Sequence, residues 1–207
     1  MSTAFRAARR WLDLRTQVAR FTQARAGATA VEFALVAVPF FALVGACLEN
    51  GIVFWEQEIL QQAVADAGRQ IYTGAFQTAN AGTTDTATLM ARFRTAMCTQ
   101  SNGTPRVTIF NCANVRVSIT KADSYTAATP VSPVATNASG ASDWNANFAG
   151  YSCAGASAIV VVQAAVDIPV FFPLLGAAVP NLPNKRRVLQ AATVFKVEPY
   201  PAPSGCS

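Results

Sequence analysis

From Ala28 to Leu48 the chain reads A-T-A-V-E-F-A-L-V-A-V-P-F-F-A-L-V-G-A-C-L, and Glu32 is its only charged residue. As a helix rising ~1.5 Å per residue, this run covers about 30 Å, the thickness of a bilayer core. Beyond it the pattern changes. Trp55, Ile59, Ala63, Ala67 and Ile71 recur every fourth residue, with Leu60, Val64 and Tyr72 beside them. Glu56, Gln57, Gln61, Gln62, Asp66, Arg69 and Gln70 fall between them. This spacing predicts that the helix leaves the membrane near residue 54 and continues as an amphipathic one. Its apolar stripe either covers the protein's own sheet or packs against neighbouring helices.

Residues 74–84 have loop composition, and a second helix is predicted from Asp85 to about Cys98, with Leu89, Met90, Phe93 and Met97 on one face. Alternation predicts two strands, Arg106–Phe110 and Val115–Thr120, joined by a turn at Asn111 and Asn114. Residues 121–152 are rich in Ala, Ser, Thr, Asn, Pro and Gly and read as a long exposed loop, with Trp144, Phe148 and Tyr151 available to anchor it. Ala158–Val166 is an apolar, β-branched run apart from Gln163, the mark of a central strand ended by Pro169. Val170–Val179 is too short and too proline-interrupted to cross a membrane, and reads as an apolar loop or short helix resting on lipid or a partner. A last strand, Val188–Val197, follows Lys185-Arg186-Arg187. The fold class is α+β: one long N-terminal helix packed on a small antiparallel sheet. The chain divides into a basic leader, 1–27, a transmembrane helix, 28–54, and an exported domain, 55–207.

Charge changes the picture mainly by where it lies. Residues 1–27 hold six arginines and one aspartate, which accounts for the whole net charge of +5. The rest has ten basic and ten acidic residues, so no cationic surface for nucleic acid is expected. Basic residues before the apolar run and Glu49, Glu56 and Glu58 after it place the leader in the cytoplasm and the domain across the membrane. An oxidising compartment suits the cysteines. Cys98, Cys112, Cys153 and Cys206 form an even set beyond the apolar run, with three possible pairings. Cys98–Cys112 and Cys153–Cys206 are favoured, because the first closes a short loop and the second ties down the C-terminus. The chain has no histidine. Without it, and without a glycine-rich phosphate loop or a paired-carboxylate motif, no enzyme, metal or cofactor is expected.

Three features lie within the apolar run. Pro39 removes a helical hydrogen bond at mid-span. Cys47, after Val44-Gly45-Ala46, has the look of a lipidation site, but the stretch before it is long and carries Glu32, unlike an export signal. Glu32 itself costs about 2.5–3.5 kcal/mol in hydrocarbon on insertion scales, so it calls for a purpose.

Gly27-Ala28-Thr29-Ala30-Val31-Glu32-Phe33 resembles the processing site of type IV prepilins and pseudopilins. The Glu-Phe pair and basic leader resemble the Flp, or tight-adherence (Tad), branch. The similarity to the TadE/TadG-like family extends over residues 26–70, including L-Q-Q-A-V-A-D-A-G-R, and returns in the tail A-A-T-V-F-K-V-E-P-Y at 191–200. The resemblance implies a pseudopilin or minor pilin cut by a prepilin peptidase between Gly27 and Ala28. Glu32, followed by Phe33, would then be the assembly carboxylate at the fifth mature position. Trp55, Ile59, Ala63, Ala67 and Ile71 would serve helix packing. The implied partners are other pilins or pseudopilins, an inner-membrane assembly platform, the peptidase and membrane lipid. The chain would sit as a single-pass inner-membrane protein with a periplasmic domain, or in a pilus at the cell surface. An uncleaved, membrane-anchored adhesin or binding domain is the other reading of the same residues.

Overall fold

The computed structural model describes residues 27–172 and 180–201. The expected leader before Gly27, residues 173–179 of the apolar stretch, and Cys206 lie outside these. The chain forms two units, one up to Gly45 and one from Ala46 onward. The first, as described, is the opening part of helix α1, Ala28–Tyr72. The second unit begins at Ala46, and Ala46, Glu49 and Val53 are already buried within it.

The second unit is α+β. After α1 come a short helix α2 (Ala75–Ala79), a longer helix α3 (Thr86–Cys98), strands β1 (Arg116–Ala122), β2 (Val134–Thr136), β3 (Ser142–Trp144), β4 (Ile159–Pro169) and β5 (Arg186–Lys196). The main sheet is antiparallel in the order β1-β4-β5, and β2 and β3 form a separate ribbon. Register is fixed along β4, where Val162 faces Ile119 on one side and Thr193 on the other. The largely apolar character of β4, broken by buried Gln163 and by Asp167 near its end, follows from its central place. Val160, Val162, Ala164, Val166 and Ile168 enter a core shared with Leu60, Val64, Phe93 and Met97, while Ala165 enters a second cluster with Phe148, Leu182 and Val188. A strand covered on both faces has no position for a solvated polar residue.

α3 begins where Asp85 caps it, accepting hydrogen bonds from the Ala87 and Thr88 amides and the Thr88 hydroxyl. Leu89, Phe93 and Met97 are buried, and Phe93 meets Phe76 of α2 edge-on with centroids 5.5 Å apart. The 74–84 segment, expected as loop, therefore contains α2. Gly74 enters α2 with φ of 76°, and a Cβ there would lie 2.6 Å from the Tyr200 ring, so neither its conformation nor its space admits another residue.

Two expectations need correction. Arg106–Phe110 is not a strand. Val107 and Ile109 are exposed, and the segment's amides go elsewhere, Arg106 N–H to the Cys98 carbonyl at 2.8 Å and Ile109 N–H to Glu56. The Cys98–Cys112 disulfide closes this segment into a loop instead. Residues 121–152 are not simply an exposed loop either. They carry the β2–β3 ribbon and lie on the second face of the sheet, where Phe148 is fully buried. Buried Gln163 of β4 holds them, accepting from the Val131 amide at 2.9 Å and donating to the Val131 carbonyl at 3.0 Å. The Arg116 guanidinium stacks over Trp144 at 4.1 Å.

Candidate functional site

The first residues of α1 carry the expected processing and assembly positions. Gly27 immediately precedes the helix, and a Cβ built on it meets nothing within 4 Å among the described residues. Packing by the described residues gives no reason for a glycine there. Ala28 opens α1, and Glu32 lies one turn further along, exposed. Around it the helix displays Val31, Phe33, Leu35, Val36, Val38, Phe40, Phe41 and Leu43, with Phe33 71% and Val38 73% exposed. A continuous apolar sleeve of this kind is not stable in water and calls for lipid or other helices around it. By length and composition α1 can cross a membrane.

Further along α1 the side chains divide differently from the four-residue stripe. Val53, Glu56, Leu60, Ala63, Val64, Ala67 and Ile71 are buried. Of the five expected packing residues, Ala63, Ala67 and Ile71 thus belong to the protein's own core, Ile59 is half-buried, and Trp55 is 51% exposed. Gln57 and Gln61, which the pattern put on the solvent side, donate to the Gln190 and Ala192 carbonyls of β5 at 2.7 and 3.3 Å. They cap part of an outer sheet edge that would otherwise present free acceptors. Gly68 lets the helix lie close to this strand, its Cβ position being 3.2 Å from Thr193 and 3.3 Å from Phe195.

Sequence reasoning missed two carboxylates. Glu49 is 5% exposed, and its oxygens accept hydrogen bonds from the amides of Phe171, at 2.9 and 3.1 Å, and Phe172, at 2.9 Å. Glu56 is fully buried. Its Oε1 accepts from the Ile109 amide at 2.9 Å, and Oε2 has no hydrogen-bond partner among the described residues. The sequence pattern marks both only as charges that follow the span. Their spacing was the available signal, since 49, 53, 56 and 60 continue one helical stripe. A carboxylate buried on such a stripe needs donors, and unpaired loop amides supply them.

The loop between Cys98 and Cys112 is thereby held from two sides. Glu56 takes its Ile109 amide, and Arg106 forms an ion pair of 2.7 Å with Asp66 of α1 while its Nε donates to the Met97 carbonyl. Cys153 is also disulfide-bonded, and Cys206, its expected partner, lies outside the described residues. At the other end of the fold the Tyr200 hydroxyl donates to the Ala154 carbonyl at 2.8 Å, and burial raises its pKa. The Tyr72 hydroxyl is raised as well, by its hydrogen bond and charge interaction with Glu198. A polar groove of about 790 Å³ between α1 and α3 includes Asp66, Arg69 and Arg92, but Asp66 is paired with Arg106, and Arg92 is bound to Asn80 and Thr83.

Residues 27–69 match the family model described as TadE-like protein. No curated protein and no solved structure matches the chain. The match begins at the residue before α1 and ends within the last turn of that helix, so the tail at 191–200 lies outside it. The similarity to TadE-like proteins thus rests on this one helical segment, from Gly27 to Arg69, about a fifth of the chain.

Proposed function

We propose that the chain is a pseudopilin, or minor pilin, of a Tad/Flp-type pilus. In this reading a prepilin peptidase cuts between Gly27 and Ala28, α1 holds the product in the inner membrane, and the folded unit lies in the periplasm or, after assembly, at the cell surface. The helix packs against other pilins and the inner-membrane assembly platform. The chain performs no chemistry of its own; it is a substrate of the peptidase. One observation carries the reading: the TadE-like match and helix α1 begin within one residue of each other, at the Gly27–Ala28 bond.

The physical logic runs through Glu32. Cleavage leaves an α-ammonium on Ala28, one helical turn from that carboxylate and equally able to meet the carboxylate of an adjoining subunit. In a low-dielectric surrounding such a pair is far stronger than in water, and removing one partner strands the other. The pair therefore sets the axial register of one apolar helix against the next, a task that the non-directional sleeve around it cannot perform. The test is Glu32→Gln in the native host, which keeps size and removes charge. The expected result is normal membrane level and normal processing with pili lost. Normal pili in that strain would contradict the role of Glu32, and normal pili with lost attachment in a deletion strain would favour an anchored adhesin.

A further inference from the structure

We propose that Phe171 and Phe172 form a second membrane contact, an aromatic wedge that Glu49 pins against the lipid leaflet from which α1 emerges. The proposal rests on the reading of the apolar run as a membrane span.

Glu49 is the first charged residue after Glu32, so it marks the level at which the helix leaves hydrocarbon. Its carboxylate does not turn to water. It is buried, and it accepts both amides of the Phe171–Phe172 pair. The backbone of those two residues is therefore held within one side chain's reach of Leu48, the last residue of the apolar run. From its other side the same segment is fixed by the Val170 amide, which donates to the Lys185 carbonyl at 2.9 Å, and by buried Val170. Arg186, paired with Asp167, braces the adjoining ends of β4 and β5.

A loop held this firmly displays two rings that the described residues leave largely uncovered, Phe171 72% and Phe172 44% exposed. Phenylalanine rings are strongly favoured out of water, so two adjacent exposed rings at a pinned position call for an apolar surrounding. The span's end supplies one. Leu48, Phe54 and Trp55 on α1 are exposed at neighbouring positions, and a tryptophan there suits the headgroup boundary. Residues 173–180 that follow the pair in sequence, P-L-L-G-A-A-V-P, carry no charge. Lys185 is exposed beside the segment and turned by a left-handed backbone (φ 55°), which adds a cation suited to lipid phosphate. Apolar rings with a flanking cation, at the level where a span ends, match a phospholipid interface.

The test uses the full chain in phosphatidylethanolamine–phosphatidylglycerol vesicles, with an environment-sensitive fluorophore placed singly at native Cys47, at Phe171→Cys or at Val107→Cys, the last two in a Cys47→Ser background. Nitroxide-bearing lipids and aqueous iodide serve as competing quenchers. The expected result is that the label at 171 blue-shifts and loses emission to nitroxide lipid while resisting iodide, as the label at 47 does and the label at 107 does not. Lipid quenching at 47 with iodide access at 171 would overturn the wedge and leave the span standing. Protection of 171 from both quenchers would mean a protein cover and would overturn it too. No lipid quenching at 47 would remove the span itself, and the wedge with it.

Discussion

At the level of single residues, the fold depends on a few positions with no substitute. Phe93 is fully buried between α3 and the sheet and packs on Phe76. Phe93→Ala is expected to lower the unfolding free energy by about 3–5 kcal/mol, measured by chemical denaturation of the folded unit in detergent. Gly74→Ala would set a Cβ against the Tyr200 ring in a left-handed conformation, and a lowered melting temperature is expected. Asp85 has a pKa below its ordinary value, chiefly because the Thr88 hydroxyl and amide donate to the carboxylate. A depressed carboxylate stabilises the fold above its unfolded pKa, and that contribution disappears as pH falls through the lower folded value. Asp85→Ala should therefore destabilise fully at neutral pH, with the difference from wild type shrinking below about pH 4. Equal destabilisation across that range would contradict the cap. Single-residue reasoning was weakest for Glu49 and Glu56. A charged residue is by default placed outside, and only their place on the buried stripe, 49-53-56-60, argued otherwise.

Among elements, the legible ones were those with strong and uniform periodicity. α1 and α3 announced themselves by apolar spacing, and β4 by a β-branched run interrupted before Val166 only at Gln163, which also told its central position. Arg106–Phe110 failed for the converse reason. Its alternation of Val107 and Ile109 with polar residues looked like a half-buried strand, yet both side chains face out because the disulfide and Glu56 fix the loop's course. Long-range hydrogen bonds of this kind leave no local trace in sequence. The clamp of Gln163 on Val131 is another, and it turned an apparently free loop into the cover of a sheet face. The disulfide spans a sequence separation of 14, so replacing both Cys98 and Cys112 by serine is expected to cost about 3 kcal/mol. A second consequence is local: amide exchange at Ile109 should accelerate in that variant, since its carboxylate acceptor is on α1 and the closed loop, with the Arg106–Asp66 ion pair, holds the two together. Glu49→Ala should likewise speed exchange at Phe171 and Phe172 and leave Ile109 unchanged, because separate carboxylates hold the two loops.

For the whole molecule, one helix serves two surroundings. Its first part offers apolar side chains to lipid or other helices, and its later part closes the core of an α+β unit through Leu60, Val64, Ala67 and Ile71. The three expected packing residues that this core consumes are not available to other subunits. Under the proposed function, intersubunit contact would fall to the exposed sleeve around Phe33, to Glu32 and, further on, to Trp55, all of them exposed. Trp55→Ala should accordingly leave the melting temperature of the folded unit nearly unchanged while lowering pilus number, whereas Ala67→Trp should unfold the unit. All of this depends on the chain being processed as a pseudopilin, and the state of its N-terminus tests that most directly. Intact mass and N-terminal sequencing of the protein from native membranes should find Ala28 as the first residue. A chain that keeps residues 1–27 would contradict the account, because Glu32 would then have no new α-amine to pair with and α1 would be an uncut anchor.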